Sequence, residues 1–173
     1  LAPCLNGGKS FSPFFSRPMR QDLLDYFEIQ QLNHRYANAV DQRDWDALDK
    51  VFTPDAFIDY SAVGGLAAQL PAIKPWLAQA LNSFNSYYHL VGNLEIQVDG
   101  DKATSRIACF NPMDMKPWRW RTVMVGIWYE DELLRTPEGW RISRRKEVPC
   151  FGHNRPWFMV LAQAIFRRKY RPK

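Results

Sequence analysis

The chain has 173 residues, the length of one domain rather than two. Apolar residues make up 46% and charged residues 24%, which excludes a disordered or fibrous protein, and no apolar run approaches the roughly 18 residues needed to span a bilayer. The formal net charge of +5 equals the charge of the last seven residues, 167–173. The rest of the chain is therefore balanced and lacks the broad basic surface of a nucleic-acid-binding protein.

The two ends of the chain are expected to lie outside the domain. Residues 1–19 are rich in Gly, Pro, Ser and Phe, which predicts a flexible extension or a cloning remnant before a domain over 20–154. Residues 155–173 are predicted to form an amphipathic helix, acting as a lid or a subunit contact, and a solvated basic tail. Three cysteines without zinc-type spacing favour a reduced, cytoplasmic protein.

The first half of the chain is predicted to be mainly helical. An apolar stripe at three- and four-residue spacing predicts a helix over 22–40. Asp44 is typical of the N-cap of a second, short helix that ends before Pro54. A short strand is predicted over 56–61, and a third helix over 71–84 begins near one of two prolines.

Beyond this third helix the apolar period changes to two, which is typical of strands. Alternation predicts a strand over 87–98 that returns over 103–110 after an Asp-Gly turn. Further strands are predicted within 120–134 and over 140–148, joined by a Thr-Pro-Glu-Gly turn. Helices followed by about four antiparallel strands indicate an α+β domain, in which a curved antiparallel sheet wraps around helices and forms a cone with an internal pocket.

Asp41 and His89 are the residues best suited to chemistry. Asp41 ends a mostly apolar helix, and His89 lies in the alternating segment after the third helix. If the sheet wraps around the helices, both side chains can point into one cavity. A carboxylate bonded to one imidazole nitrogen fixes the tautomer and makes the other nitrogen a better base. Spacing alone leaves open that the aspartate is a helix-end residue and the histidine structural.

Several segments, in this order and at this spacing, resemble one known family. They are Tyr36 to Leu48, 51–56, 88–93, 98–104 and 135–142. Together they cover most of the chain from about residue 22 to residue 147. They resemble the SnoaL-like family of the nuclear transport factor 2-like superfamily, and the resemblance implies the α+β cone of that family.

The resemblance is to the branch that holds scytalone dehydratase and hexachlorocyclohexane dehydrochlorinase, in which an Asp–His dyad abstracts a proton before elimination. It implies that Asp41 orients His89 as the base and that Tyr60 polarises a substrate oxygen, directly or through water. Val40 stands where scytalone dehydratase has a second tyrosine, and about Ile107 stands where it has a second histidine. The substrate of that enzyme is therefore not implied.

The function implied is a cofactor-independent lyase, most like a dehydratase, that acts on a small hydrophobic ring compound. Large side chains are predicted to form the substrate-binding wall: Tyr36, Trp76, Phe110, Met124 and Trp128. The protein is expected to need no cofactor or metal, to form a homo-oligomer (dimer or trimer), and to bind neither nucleic acid nor membranes stably. Alternatives are a non-catalytic small-molecule-binding domain and a polyketide cyclase, isomerase or epoxide hydrolase of the same fold.

Other polar residues are weaker candidates. Asn93 and Asn111 are expected either to bond substrate or to satisfy backbone groups. His153 follows the last predicted strand, where a loop position is favoured over a place at the cavity. The basic run over 144–146 is expected at an exposed strand end.

Overall fold

The computed structural model describes residues 17–117 and 122–155. These residues form two α-helices, α1 (Arg17–Asp41) and α2 (Leu70–Leu81), and short 3₁₀ helices at Asp46–Lys50 and Ser61–Val63. They also form seven strands: β1 (Phe52–Asp59), β2 (Ala67–Gln69), β3 (Phe84–Tyr87), β4 (Leu90–Asp99), β5 (Lys102–Met115), β6 (Thr122–Thr136) and β7 (Gly139–His153).

The strands make one strongly curled, mixed sheet in the shape of a half-barrel. The strand order is β2-β1-β7-β6-β5-β3, and β4 also pairs with β5. The predicted α+β class is confirmed. One detail needs correction, because β1 runs parallel to β7 in a sheet expected to be antiparallel. Turn sequences indicate direction only for strands that follow each other directly, and β1 and β7 are separated by most of the chain.

Two predicted boundaries also change. β1 begins at Phe52 although Pro54 lies within it. The pairing of β1 with β7 is irregular in this region, so the missing N–H of the proline falls where the ladder is interrupted. α2 ends at Leu81, and Phe84 starts β3 instead of continuing the helix.

α1 packs its apolar stripe into the core. The residues predicted from their spacing to share one face are all buried: Ile29, Leu32, Tyr36 and Val40. The N-terminal half of α1 is joined to the strands by Asp25, whose carboxylate accepts two hydrogen bonds of 2.8 Å from Arg135 and one of 3.1 Å from Trp140. The Arg135 guanidinium is the main reason why the pKa of Asp25 is lowered.

An ion pair is enclosed in the core between α1 and the sheet. Arg145 Nε and Nη2 donate to the two carboxylate oxygens of Asp131 at 2.8 and 2.7 Å, and neither side chain is exposed. Nη2 also donates to Asn33 Oδ1 on α1 at 2.7 Å. The guanidinium packs over the rings of Tyr36 and Tyr129, 4.1 and 4.3 Å from their centroids. The exposed position predicted for the basic run is therefore wrong for Arg145.

The extension over 1–19 and the C-terminal helix and tail over 155–173 lie almost entirely outside the described residues. Their structure and the domain boundaries therefore stay predictions. Within the described ranges, neither α-helix combines the length and the apolar character needed to cross a membrane.

Candidate active site

A cavity of about 610 Å³ lies between the two helices and the inner face of β5, β6 and β7. Sites for small molecules commonly measure roughly 300–1,000 Å³. Much of the wall is apolar and comes from both helices and the sheet: Val40, Trp76, Leu77, Met113, Val125 and Ile127. Polar and charged residues also line the cavity: Tyr36, Tyr60, Ser83, His89, Asn111, Lys116, Glu147 and Arg155. The arrangement suits a mainly hydrophobic ligand that carries a few polar atoms.

Asp41 and His89 are in contact at this cavity. His89 lines the cavity. Asp41, the last residue of α1, is not among the lining residues and contacts His89 on the side of the ring that carries Nδ1. Asp41 Oδ1 lies 2.6 Å from His89 Nδ1, while Oδ2 accepts the backbone N–H of His89 at 3.0 Å. The carboxylate thus holds both the ring and the main chain of His89. When Nδ1 donates to Asp41, Nε2 keeps its lone pair.

The end of α1 is fixed to the segment that leads to His89. Arg43 adopts a positive φ of 57° just after the helix, and its guanidinium donates to carbonyl oxygens at the end of α2 and the start of β3, each at 3.3 Å. Tyr87, the last residue of β3, donates its hydroxyl to Val40 O at 3.0 Å. These bonds place Asp41 and His89 next to each other although 48 positions separate them.

Asn111 on β5 completes the contacts of the His89 ring. Its Nδ2 lies 2.5 Å from His89 Nε2, and the amide donates to the Nε2 lone pair when the ring is neutral. Asn111 Oδ1 is buried and has no partner among the described residues. A half-turn of the amide would present this oxygen to Nε2–H of a protonated ring, so Asn111 suits both protonation states. The sequence predicted a substrate or backbone contact for Asn111, not this one.

Tyr36 and Tyr60 form a second polar cluster in the wall. Their hydroxyl oxygens lie 2.9 Å apart. Burial raises the pKa of Tyr36 to about 12 and that of Tyr60 well above its usual value, so both remain protonated and one hydroxyl proton is left for a ligand. Trp76 stacks on Tyr60 at 5.6 Å, and a Cβ at Gly65 would lie 2.7 Å from atoms of both residues. Glycine at this position therefore permits the stacked pair.

Glu147 on β7 is a buried carboxyl group at the cavity that was not predicted from the sequence. Its side chain lines the cavity, and the residue is 8% exposed. Burial raises the pKa of Glu147 to about 8; the nearby Arg145 opposes this rise and Asp59 adds to it. No sequence signal marks Glu147, because an irregularity of the sheet at Ser143 sets the direction of its side chain.

Glu147→Gln is expected to stabilise the protein at alkaline pH. The pKa of Glu147 is about 8 in the folded protein against an ordinary value of 4.5, so the unfolded chain loses its proton first as the pH rises. Wild-type stability therefore contains a contribution that is present below pH 4.5 and is lost on the way to pH 8. The neutral variant should be more stable by on the order of 4 kcal/mol at about pH 8, with a much smaller difference near pH 5.

Urea unfolding of both proteins at the two pH values measures this difference. Glu132→Gln on β6 is the matched control, because Glu132 is exposed and should show no such dependence. A stabilisation by Glu147→Gln of equal size at both pH values would contradict the raised pKa.

Three residues predicted for the substrate-binding wall are not among those that line the cavity: Phe110, Met124 and Trp128. On β5 and β6 the odd-numbered side chains, such as Cys109 and Ile127, are buried, so these three even-numbered residues lie on the outer face. Trp128 packs beneath the guanidinium of Arg106 at 4.0 Å. Both faces of these strands carry large apolar side chains, so size does not distinguish the inner face from the outer.

No group of three or more His, Cys, Asp and Glu side chains that could hold a metal ion occurs within the described residues. His153 lies at the end of β7 and is exposed. The expectation that the protein works without a metal or cofactor stays a prediction.

Solved structures share this fold. A proposed scytalone dehydratase of Novosphingobium aromaticivorans matches with a TM-score of 0.71 at 18% identity, over 79% of this chain and 91% of that one. The hexachlorocyclohexane dehydrochlorinase LinA-type3 of Novosphingobium barchaimii matches with a TM-score of 0.68 at 17% identity, over 78% of this chain and 92% of that one. At such low identity the likeness shows the fold alone.

Relatives found by sequence share more residues with this chain than these solved structures do. Protein Rv2910c of Mycobacterium tuberculosis is 52% identical over 130 residues, which cover 75% of this chain and 88% of that protein. Residues 21–146 match the SnoaL-like domain, a range that includes Asp41, Tyr60 and His89. The chain therefore belongs to the SnoaL-like domain family and has the nuclear transport factor 2-like fold.

Proposed function

We propose that the cavity is the active site of a cofactor-independent lyase that removes a proton from carbon in a small hydrophobic ring compound. The observation that carries this proposal is the 2.6 Å contact between Asp41 Oδ1 and His89 Nδ1 beside an apolar cavity. It leaves the second ring nitrogen as a base, and the largely buried position of the ring, 8% exposed, limits competition from water.

In the proposed reaction, His89 Nε2 accepts a proton from a carbon next to a carbonyl group. Asp41 orients the ring and stabilises the imidazolium that forms. The amide of Asn111 leaves Nε2 when substrate enters, and its buried oxygen then accepts the new Nε2–H. The hydroxyl pair of Tyr36 and Tyr60 donates a hydrogen bond to the carbonyl oxygen, where negative charge develops.

Loss of a leaving group from the neighbouring carbon would complete an elimination. Return of the proton to a different carbon would instead complete an isomerisation, which starts with the same step. The elimination is favoured here because two proteins of the same fold are a proposed scytalone dehydratase and a hexachlorocyclohexane dehydrochlorinase. The homo-oligomer, the cytoplasmic location and the absence of nucleic-acid and membrane partners stay predictions.

Deuterium exchange into acetophenone tests the proton-abstraction step without knowledge of the natural substrate. Acetophenone combines a ring small enough for the cavity with acidic protons next to a carbonyl. In heavy water at neutral pH, the protein is expected to speed the loss of the methyl signal in proton NMR well above the buffer rate. The heat-denatured protein is the control for catalysis by buffer and by exposed side chains.

Exchange at the buffer rate, at an acetophenone concentration that saturates the cavity, would contradict the proposal. That result would favour the alternative of a small-molecule-binding domain without turnover.

A further inference from the structure

Among Tyr36, Tyr60, His89, Asn111 and Glu147 at the cavity wall, Glu147 is the residue without a role in the proton abstraction. Its carboxyl group is buried on the inner face of β7, and among the described residues no hydrogen bond or ion pair holds it. A buried polar group without a partner is costly, so such groups are commonly retained for binding or chemistry. The free carboxyl shares the cavity with His89 and is therefore available to a ligand.

The surroundings of Glu147 favour its neutral form. The charged and titratable groups coupled to it are Tyr36 on α1, Asp59 at the end of β1, Tyr60 just after it, Cys109 on β5, Tyr129 on β6 and Arg145 on β7. His89, Lys116 and Arg155 line the same cavity. The Arg145 charge is already shared with Asp131 through two hydrogen bonds. Burial therefore outweighs that cation and raises the pKa of Glu147 to about 8. At neutral pH the Glu147 carboxyl group is therefore protonated in most of the protein molecules.

We propose that Glu147 is a general acid that donates its proton to a hydroxyl group leaving from the substrate. This inference rests on the proposed lyase function and narrows its substrate class to β-hydroxy carbonyl compounds. A hydroxide ion is a poor leaving group, so a dehydratase gains from an acid that turns it into water. Chloride leaves as an anion without taking up a proton, so a general acid does not accelerate its departure.

The step balances as a dehydration. The proton on the carbon next to the carbonyl passes to His89 Nε2, and the electron pair of that C–H bond becomes the new C=C bond. The C–O bond of the neighbouring carbon breaks, its electron pair stays on oxygen, and this oxygen takes the proton of Glu147 and departs as water. The imidazolium then releases its proton and the Glu147 carboxylate regains one through solvent, so the net change is the loss of one water molecule.

Two probes that yield the same product separate the roles of the acid and the base. Elimination from β-hydroxypropiophenone and from β-chloropropiophenone gives phenyl vinyl ketone in both cases, which ultraviolet absorbance follows after subtraction of the spontaneous rate. Glu147→Gln is expected to lower kcat for the hydroxy probe by about 10²-fold or more and to change kcat for the chloro probe by only a few-fold. Glu132→Gln, an exposed residue on the same sheet, should change neither.

The pH profile and the base variant provide a second comparison. With wild type, kcat for the hydroxy probe should fall as the pH rises through the pKa of about 8, and this limb should be absent with the chloro probe. His89→Ala should impair both probes. If Glu147→Gln lowers kcat equally for both probes, or does not lower kcat for the hydroxy probe, Glu147 is not the general acid. Either result leaves the role of His89 as the base unaffected.

Ligand binding tests Glu147 even if neither probe is turned over. The carboxylic acid should donate a hydrogen bond to the hydroxyl oxygen of β-hydroxypropiophenone, so the Kd of this probe measured by NMR should rise as the pH passes about 8 in wild type and stay flat in Glu147→Gln. If wild type turns over neither probe but its Kd depends on pH in this way, the proposed lyase function is contradicted, whereas the assignment of Glu147 as a proton donor is supported. Binding that does not depend on pH in wild type would overturn the donor.

Discussion

His89→Ala is expected to lower kcat for proton abstraction by about 10²–10⁴-fold while the protein stays folded. The variant loses the nitrogen that accepts the proton, whereas the apolar wall that holds the substrate is untouched. Asp41→Asn should also lower kcat strongly, because an amide keeps the shape of the side chain but lacks the charge that stabilises the imidazolium. Elimination from β-chloropropiophenone measures both effects, since chloride leaves without a proton.

The matched controls are His153→Ala and Asp55→Asn. Both residues are exposed in the structure and neither lines the cavity, so their kcat values should equal that of wild type. Circular dichroism of all four variants excludes unfolding as the cause of lost activity. If His89→Ala and Asp41→Asn eliminate chloride as fast as wild type, the base has been assigned to the wrong residues.

Asp131→Asn is expected to lower the free energy of unfolding by about 3–5 kcal/mol, the largest stability effect foreseen for a single change. The substitution leaves the fully buried Arg145 guanidinium without its counter-charge. Asn33 would remain as a neutral partner, and Arg145 Nη1 already has no partner among the described residues. Because the guanidinium also packs on Tyr36, the loss should loosen one side of the cavity.

Urea denaturation measures this loss, and Glu130→Gln is its control. Glu130 pairs with Arg106 at 3.6 Å on the same sheet, but both side chains are 45% exposed. Exposed pairs typically contribute about 0–1 kcal/mol, so the control should unfold close to wild type. Similar midpoints for Asp131→Asn and Glu130→Gln would show that the buried pair is not a main source of stability.

Local patterns in the sequence were sufficient for much of the fold. The apolar stripe of α1 depends only on the period of a helix, and its members are buried as expected. The Asp-Gly and Pro-Glu-Gly turns form hairpins because Gly100 and Gly139 adopt positive φ values of 60° and 102°. The α+β class follows from these elements, and the segments that resemble the SnoaL-like family lead to the right family.

The contact between Asp41 and His89 was predicted only through that resemblance. Each residue alone is also typical of a helix end or a structural histidine, and a gap of 48 positions carries no local signal. The tertiary structure joins them because Arg43 and Tyr87 bind the end of α1 to the neighbouring elements. A long-range contact of this kind depends on the whole fold, so spacing along the chain cannot show it.

The inner face of the sheet was decided by the tertiary structure alone. A period of two divides a strand into two faces but does not say which of them is buried, and Phe110 and Trp128 were assigned to the wrong one. β7 also contains a bulge. Leu133 and Glu132 are neighbours on β6, but their partners on β7 are Ile142 and Arg144, so Ser143 between them is an extra residue that has no partner on β6.

This extra residue reverses the alternation of β7. Continuing the pattern from the buried Trp140 and Ile142 would turn Arg144 and Lys146 inward. Beyond Ser143 the inward side chains are instead Arg145 and Glu147, one in the buried ion pair and one in the cavity. A β-bulge arises from pairing with the neighbouring strand, so the sequence of β7 by itself determined a strand but not which of its charged residues the core would enclose.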